Sequence, residues 1–197
     1  QMMNSDKNYD RRRSFFSFFI FLTIIGVVSY LILYAPRPNL GGLKSTPVQV
    51  GFYEVVSIND GDTIVVNMAG QDETIRFIGV DTPETHKPNT PVQCWGPEAT
   101  NYTTNLLKQN NNQVRLEADP INTNRDRYDR LLRYVYLQDG TLLNAQLIKD
   151  GQGFAYTSFP FQKSEEFKVY GQNAKNENKG LYSACQITTD KYGSSHT

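Results

Sequence analysis

Carboxylates and arginines recur in three segments of this chain. They are Asp60-Gly61-Asp62-Thr63, then Arg76 through Asp81-Thr82-Pro83-Glu84, then Asp126-Arg127-Tyr128-Asp129-Arg130. Acids alone suggest a bound cation, and arginines alone suggest phosphate. Together, on neighbouring strands, they suggest a site that cuts phosphodiesters with a hard cation. Such hydrolysis needs a positioned water, a cation on the non-bridging oxygens and charge stabilisation as phosphorus becomes five-coordinate. Asp62 and Asp81, aimed at one point, repel each other unless a cation joins them. No cysteine lies near them and the chain has only two histidines. The ligands would then all be oxygen, which favours Ca²⁺, with Mg²⁺ second. Arg76 and Arg130 each offer phosphate a planar fork that stays charged at any working pH.

The elements that must position these groups are short. Strand patterns fall at about 52–59, 63–68 and 74–80, joined by the turn Asn59-Asp60-Gly61 and a polar link over 69–73. This meander is expected to bring Asp62 and Asp81 side by side on strand edges. A helix begins near Gly96-Pro97-Glu98, with proline in its first turn, and runs to about Lys108. Further strands read at 114–117 and 131–137. A second helix covers 142–149 and ends in Asp150-Gly151, a C-cap signal. A third covers 164–179, with Ser164 as N-cap and Gly180 as terminator. The tail from residue 186 is polar and expected to be loose. Five short strands with about three interleaved helices and no repeat predict an α+β fold, mainly a small closed β-barrel with helices packed on it.

At this point the sequence resembles the thermonuclease family, the staphylococcal-nuclease-like domain, from about Tyr53 to about Ala184. The resemblance names the barrel an OB-fold, a closed form that often binds oligonucleotides. It implies a Ca²⁺ site made of Asp62, Asp81 and the backbone carbonyl of Thr82. It implies that Arg76 and Arg130 bind the scissile phosphate and stabilise its transition state. Glu84 matches the glutamate that acts as general base or orients the attacking water, and both roles stay open here. Tyr156 matches a tyrosine near the nucleotide phosphate. The next such position falls on Ser158, a departure that Phe159 or Phe161 would have to offset. Asp129 stands where many relatives have glycine, which implies either an ion pair with a neighbouring arginine or a changed turn.

Each motif also has an ordinary reading. Asp60-Gly61-Asp62 alone is a hairpin turn, Thr82-Pro83-Glu84 alone a loop or helix start. Arg127 and Arg133 read as a solvated strand face, Asp60 and Asp126 as turn or supporting residues. Trp95 reads as packing, and His86 and Lys87 as surface loop. The joint occurrence of all three segments in order is what favours catalysis.

The N-terminus carries a separate signal. Arg11-Arg12-Arg13 precedes an uncharged, mostly apolar run over residues 14–34, long enough as a helix to cross a bilayer. The basic residues predict that 1–13 stays in the cytoplasm and the remainder lies outside. A cleaved signal peptide, and hence secretion, is the alternative, disfavoured because Tyr34-Ala35-Pro36 is a poor cleavage site. Gln1 before Met2 and Met3 points to a start at a methionine. Residues 35–47, rich in proline and glycine, read as a linker, 48–185 as the nuclease-like domain and 186–197 as the tail. With two cysteines, one disulfide between Cys94 and Cys185 is the intramolecular option, and export favours it. Similar exported nuclease domains carry cysteines in both places.

Composition permits one domain: hydrophobic residues make up 39%, enough for a core. The formal net charge is zero, whereas a non-specific nucleic-acid binder usually reads as basic. The reading is therefore an exported, membrane-tethered, Ca²⁺-dependent nuclease acting on DNA or RNA, or both, and leaving 3′-phosphates by family analogy. No protein partner is expected. The alternative is a catalytically weak module on the same barrel that binds nucleic acid or protein.

Overall fold

The computed structural model describes residue 30 and residues 51–85, 91–190 and 195–197. The chain divides after Ser45, and the unit Thr46–Thr197 carries the architecture below. The predicted span over 14–34, its basic flank, the linker over 35–47, His86 and Lys87 lie outside the described residues. Among the described residues, no helix is long and apolar enough to cross a membrane.

Strands β1 (Tyr53–Asp60), β2 (Thr63–Met68) and β3 (Gln71–Phe77) form an antiparallel meander. The link over 69–73 is shorter than the sequence suggested. Ala69 and Gly70 both adopt left-handed backbone, so the chain reverses at once and β3 starts at Gln71. β5 (Gln113–Glu117) and β6 (Leu131–Tyr136) complete a closed barrel in the order β1-β2-β3-β6-β5. β6 runs parallel to β3, with Leu132 opposite Arg76, and β5 closes onto β1 through Tyr53 and Val114. Closure leaves no free sheet edge, and the alternating residues Ile64, Val66, Ile75, Phe77, Val114 and Val135 fill the interior.

The strand predicted over 74–80 is not one strand. Gly79 takes a left-handed φ of 75° and breaks it, because a Cβ there would stand 2.6 Å from the Phe161 ring. β4 (Val80–Asp81) therefore leaves the barrel and pairs with β7 (Phe154–Ala155), Asp81 opposite Phe154. Asp81 is thus not a meander neighbour of Asp62. Asp62 lies in the turn between β1 and β2, and tertiary contacts bring the two together.

Helix α1 (Gly96–Gln109) buries Ala99, Thr103 and Leu107, one face at four-residue spacing. Helix α2 (Leu143–Lys149) stops at Gly151, which takes φ 64° and lets Gln152 N–H reach the Leu147 carbonyl. Helix α3 (Ser164–Asn176) differs from expectation at both ends. Its N-cap is Lys163, without a side-chain cap, so Ser164 is already helical. Glu165 and Glu166 in the first turn face the positive end of the dipole instead. Asn178, at φ 51°, ends it early: Asn178 N–H bonds the Lys175 carbonyl and Lys179 N–H that of Ala174. Gly180 instead starts the one-turn helix α4 (Leu181–Ala184).

The tail is not wholly loose. Thr188–Thr189 (β8) pairs with Ser195–His196 (β9), and Thr197 Oγ1 donates to the Cys94 carbonyl at 2.9 Å. Cys94 and Cys185 form a disulfide, which anchors the tail beside the start of α1.

Asp119, buried after β5, ties the long loop before β6 to the core. It accepts hydrogen bonds from Tyr134 Oη at 2.6 Å, from Gln162 N–H at 2.8 Å and from the Ile121 and Asn122 amides. Burial alone would raise its pKa, but these donors outweigh burial and hold it below the ordinary carboxylate value. A depressed folded-state pKa contributes stability at pH values above the unfolded pKa, near 4, that is lost as pH falls through the folded one. Asp119→Asn should therefore cost about 2 kcal/mol at pH 7, and the gap to the parent should narrow toward pH 3. Thermal melts at both pH values check this; a gap that stays constant or widens in acid contradicts it.

Candidate active site

The turn carrying Asp62 is set by α1. Thr103 Oγ1 donates to the Gly61 carbonyl at 2.6 Å. A Cβ on Gly61 would meet Ala99 and Thr82 at 3.0–3.1 Å, so glycine lets turn and helix touch without a shift of either. An irregularity in the β1–β2 register between Ile58 and Asp60 bends the strand just before it. On the far side, Gly153 presses against the Asp81–Thr82 backbone, where a Cβ would lie 2.9 Å from the Asp81 carbonyl.

Between these supports Arg76, Asp62, Asp81 and Thr82 meet. Arg76 Nη1 lies 3.2 Å from Asp62 Oδ2, and Arg76 Nη2 lies 2.7 Å from Asp81 Oδ1. Nη1 also donates to the Val80 and Phe77 carbonyls at 2.6 and 3.1 Å. Asp62 accepts from Thr82 N–H at 2.7 Å and from Thr63 Oγ1 at 2.9 Å. The side chains of Arg76 and Asp62 are 13% and 7% exposed, that of Asp81 36%, so the cluster opens to solvent on the Asp81 side. Burial works against the Arg76 charge, but Asp62, Asp81, Glu84 and Tyr156 together outweigh it and hold the guanidinium above its ordinary range. Tyr156 N–H donates to the Gly79 carbonyl at 2.9 Å, one residue before β4.

Arg130 is not brought into contact with these four. Its Nε and Nη2 both bond Asp126 Oδ2 at 2.7 Å. It nevertheless lies immediately before β6, two residues ahead of Leu132, the partner of Arg76. Asp126 does more than shape a turn: it also accepts from the Tyr128 and Arg130 amides. Burial opposes its charge, yet the Arg130 guanidinium and these amides hold its pKa down. Asp129 resolves the choice left open. It adopts the left-handed φ of 66° that glycine favours, so the turn persists, and it also pairs with Arg125, Nε to Oδ1 3.6 Å.

Other residues sort clearly. Phe161 is 4% exposed and packs on Phe167, which removes it as a nucleotide contact. Phe159 is 59% exposed, with its ring 5.8 Å from that of Tyr156. Arg133 is not simply solvated, since Nη2 donates to Asn124 Oδ1 at 2.8 Å and pins the loop. Arg127 lies over the Tyr128 ring, 4.8 Å from its centroid. Trp95 is half-buried and donates to Gln152 Oε1 at 2.9 Å. Asp60 accepts from Thr85 N–H and Oγ1, fixing the loop that carries Glu84. Thr103 and Gln93 were missed from the sequence, and Thr63, present in the first motif, was given no role. Thr63 adjoins Asp62 and was recoverable; Thr103 acts on Gly61 across 42 residues, and Gln93 reaches Glu84 across nine with no motif to mark the pairing.

A closed five-stranded barrel with helices on it and a buried carboxylate–arginine cluster at one turn defines an OB-fold hydrolase suited to phosphodiesters. The family model described as staphylococcal nuclease homologue matches residues 74–184. That span includes Arg76, Asp81, Thr82, Glu84, Arg130 and Tyr156. The thermonuclease of Staphylococcus intermedius is 38% identical over 158 residues, 80% of this chain and 89% of that protein. The thermonuclease of Staphylococcus hyicus is 46% identical over 114 residues, 58% of this chain and 64% of its own length. Endonuclease YncB of Bacillus subtilis is 38% identical over 134 residues, 67% of this chain and 62% of its length. The chain belongs to the staphylococcal nuclease family. It is a nuclease, a hydrolase acting on nucleic acid.

Proposed function

We propose that this nuclease is calcium-dependent, exported and held at the membrane, and that it hydrolyses DNA or RNA, or both, to leave 3′-phosphate ends. In this reading residues 1–13 are cytoplasmic and 14–34 span the membrane. Residues 35–47 form a stalk, 48–185 carry catalysis and 186–197 are the tail. The observation that carries the enzymatic part is the convergence of Asp62 and Asp81 on Arg76 beside the Thr82 backbone.

The donor set fits Ca²⁺. It is all oxygen, combining two carboxylates with the Thr82 carbonyl, and the Asp81 side is open to solvent and substrate. The Thr82 hydroxyl is buried without a hydrogen-bond partner, a further oxygen with unspent capacity beside the set. Asp62, Asp81 and the Thr82 carbonyl would hold Ca²⁺, which would supply positive charge to the phosphate. Arg76 and Arg130 donate to the remaining oxygens, where charge accumulates as phosphorus becomes five-coordinate. Glu84 accepts a hydrogen bond from the attacking water and orients it in line with the leaving oxygen. Tyr156, within the field of Arg76, contacts the neighbouring phosphate.

Digestion of single- and double-stranded DNA with Ca²⁺, and again with EGTA, tests the reading. Cleavage should require Ca²⁺, and cleavage that persists in EGTA rejects calcium dependence. A folded, Ca²⁺-loaded protein that binds DNA without cutting it would instead be a binding module. Asp62→Ala should weaken Ca²⁺ binding by about tenfold or more in calorimetry; unchanged affinity removes Asp62 from the ligand set. Tethering predicts that the protein sediments with membranes and is released by detergent but not by salt.

A further inference from the structure

Glu84 is clasped by Gln93. The Glu84 N–H donates to Gln93 Oε1 at 2.7 Å, and the Glu84 carbonyl accepts from the Gln93 N–H at 3.0 Å. The three residues that follow are each tied elsewhere. Cys94 is bonded to Cys185, and its carbonyl accepts from Thr197. Trp95, in left-handed backbone at φ 73°, donates its indole N–H to Gln152. Gly96 begins α1 so close to the Glu84 loop that a Cβ would lie 2.9 Å from the Glu84 carbonyl oxygen and 3.2 Å from that of Pro83. The clasp therefore sits on a short segment braced by the disulfide on one side and the helix on the other.

We propose that Gln93 is a positioning residue for Glu84, and that the Cys94–Cys185 disulfide is the strut that holds Gln93 in register. The proposal rests on the reading of Glu84 as the residue that orients water. A carboxylate that aligns water in line with a leaving group tolerates little displacement, and about 1 Å can cost up to 10²-fold in rate. The two hydrogen bonds fix the backbone on both sides of the Glu84 Cα. Without the Gln93 acceptor, the Glu84 amide must find water, and the Asp60 bonds to Thr85 are left to hold the loop.

Steady-state cleavage by the full chain tests this. Gln93→Met keeps length and removes the acceptor; it should lower kcat about tenfold. KM for DNA and calorimetric Ca²⁺ affinity should stay within about twofold of the parent. Gln93→Glu retains an acceptor and should hold kcat within about threefold. Cys94→Ser with Cys185→Ser should lower kcat comparably, and adding Gln93→Met should cost no more than about twofold further, because the two act in series. Parental kcat in Gln93→Met overturns the proposal. So does a Gln93→Glu variant as slow as Gln93→Met, or losses that multiply. Glu84→Gln separates the two levels. If it keeps full kcat, the reading of Glu84 falls and this proposal with it. If it is inactive while Gln93→Met is at parental rate, only the positioning role falls.

Discussion

Replacing Arg76 by alanine should lower kcat by roughly three or more orders of magnitude and weaken the fold as well. The guanidinium neutralises Asp62 and Asp81 and also satisfies the Val80 and Phe77 carbonyls. Its loss leaves the buried Asp62 carboxylate and the partly exposed Asp81 without the charge that joins them. Breaking a buried pair costs about 3–5 kcal/mol, and the lower end applies because Asp81 is 36% exposed. Arg76→Lys should recover part of the stability and little of the rate. An ammonium restores charge but cannot span both carboxylates and grip phosphate in a fork. Urea melts and single-turnover cleavage separate the two effects. Cleavage by Arg76→Ala within tenfold of the parent, or full activity in Arg76→Lys, would remove Arg76 from the chemistry.

The second large effect is expected at Arg130, with the opposite balance between rate and stability. Arg130→Ala should lower kcat by about two to three orders of magnitude while the melting temperature stays close to the parent. The side chain is 30% exposed, and its partner Asp126 lies on the same turn. Such pairs contribute about 0–1 kcal/mol. Asp126 would still accept from the Tyr128 and Arg130 amides, so the turn should survive. The rate loss would then reflect missing charge on the phosphate rather than a distorted loop. A loss below about tenfold would contradict the assigned role, and a large fall in melting temperature would show that the Asp126 pair is structural instead.

The extent to which site and fold were legible follows from the range of the interactions involved. β2 and β6 declared themselves by local apolar pattern, and α1 by proline at its start. The break at Gly79 was hidden, because the reason for it is a pair of rings, Phe161 and Phe167, more than eighty residues away. The end of α3 was misplaced for a local reason: asparagine can take the left-handed turn as glycine does, and Asn178 comes first. Asp129 shows the same latitude within the site.

By itself, the sequence determined which groups are available for chemistry: Asp62, Arg76, Asp81, Glu84 and Arg130 in order, on a chain patterned for five strands and three helices. That information is local, carried by residue type and short spacing. Only the tertiary structure decided how they meet. It moved Asp81 off the meander onto β4, buried Arg76 between two carboxylates, assigned Arg130 to Asp126 and placed Gln93 against Glu84. The first two depend on contacts between separate segments, made when the barrel closes; the last two join residues four and nine apart and depend on how their loops turn.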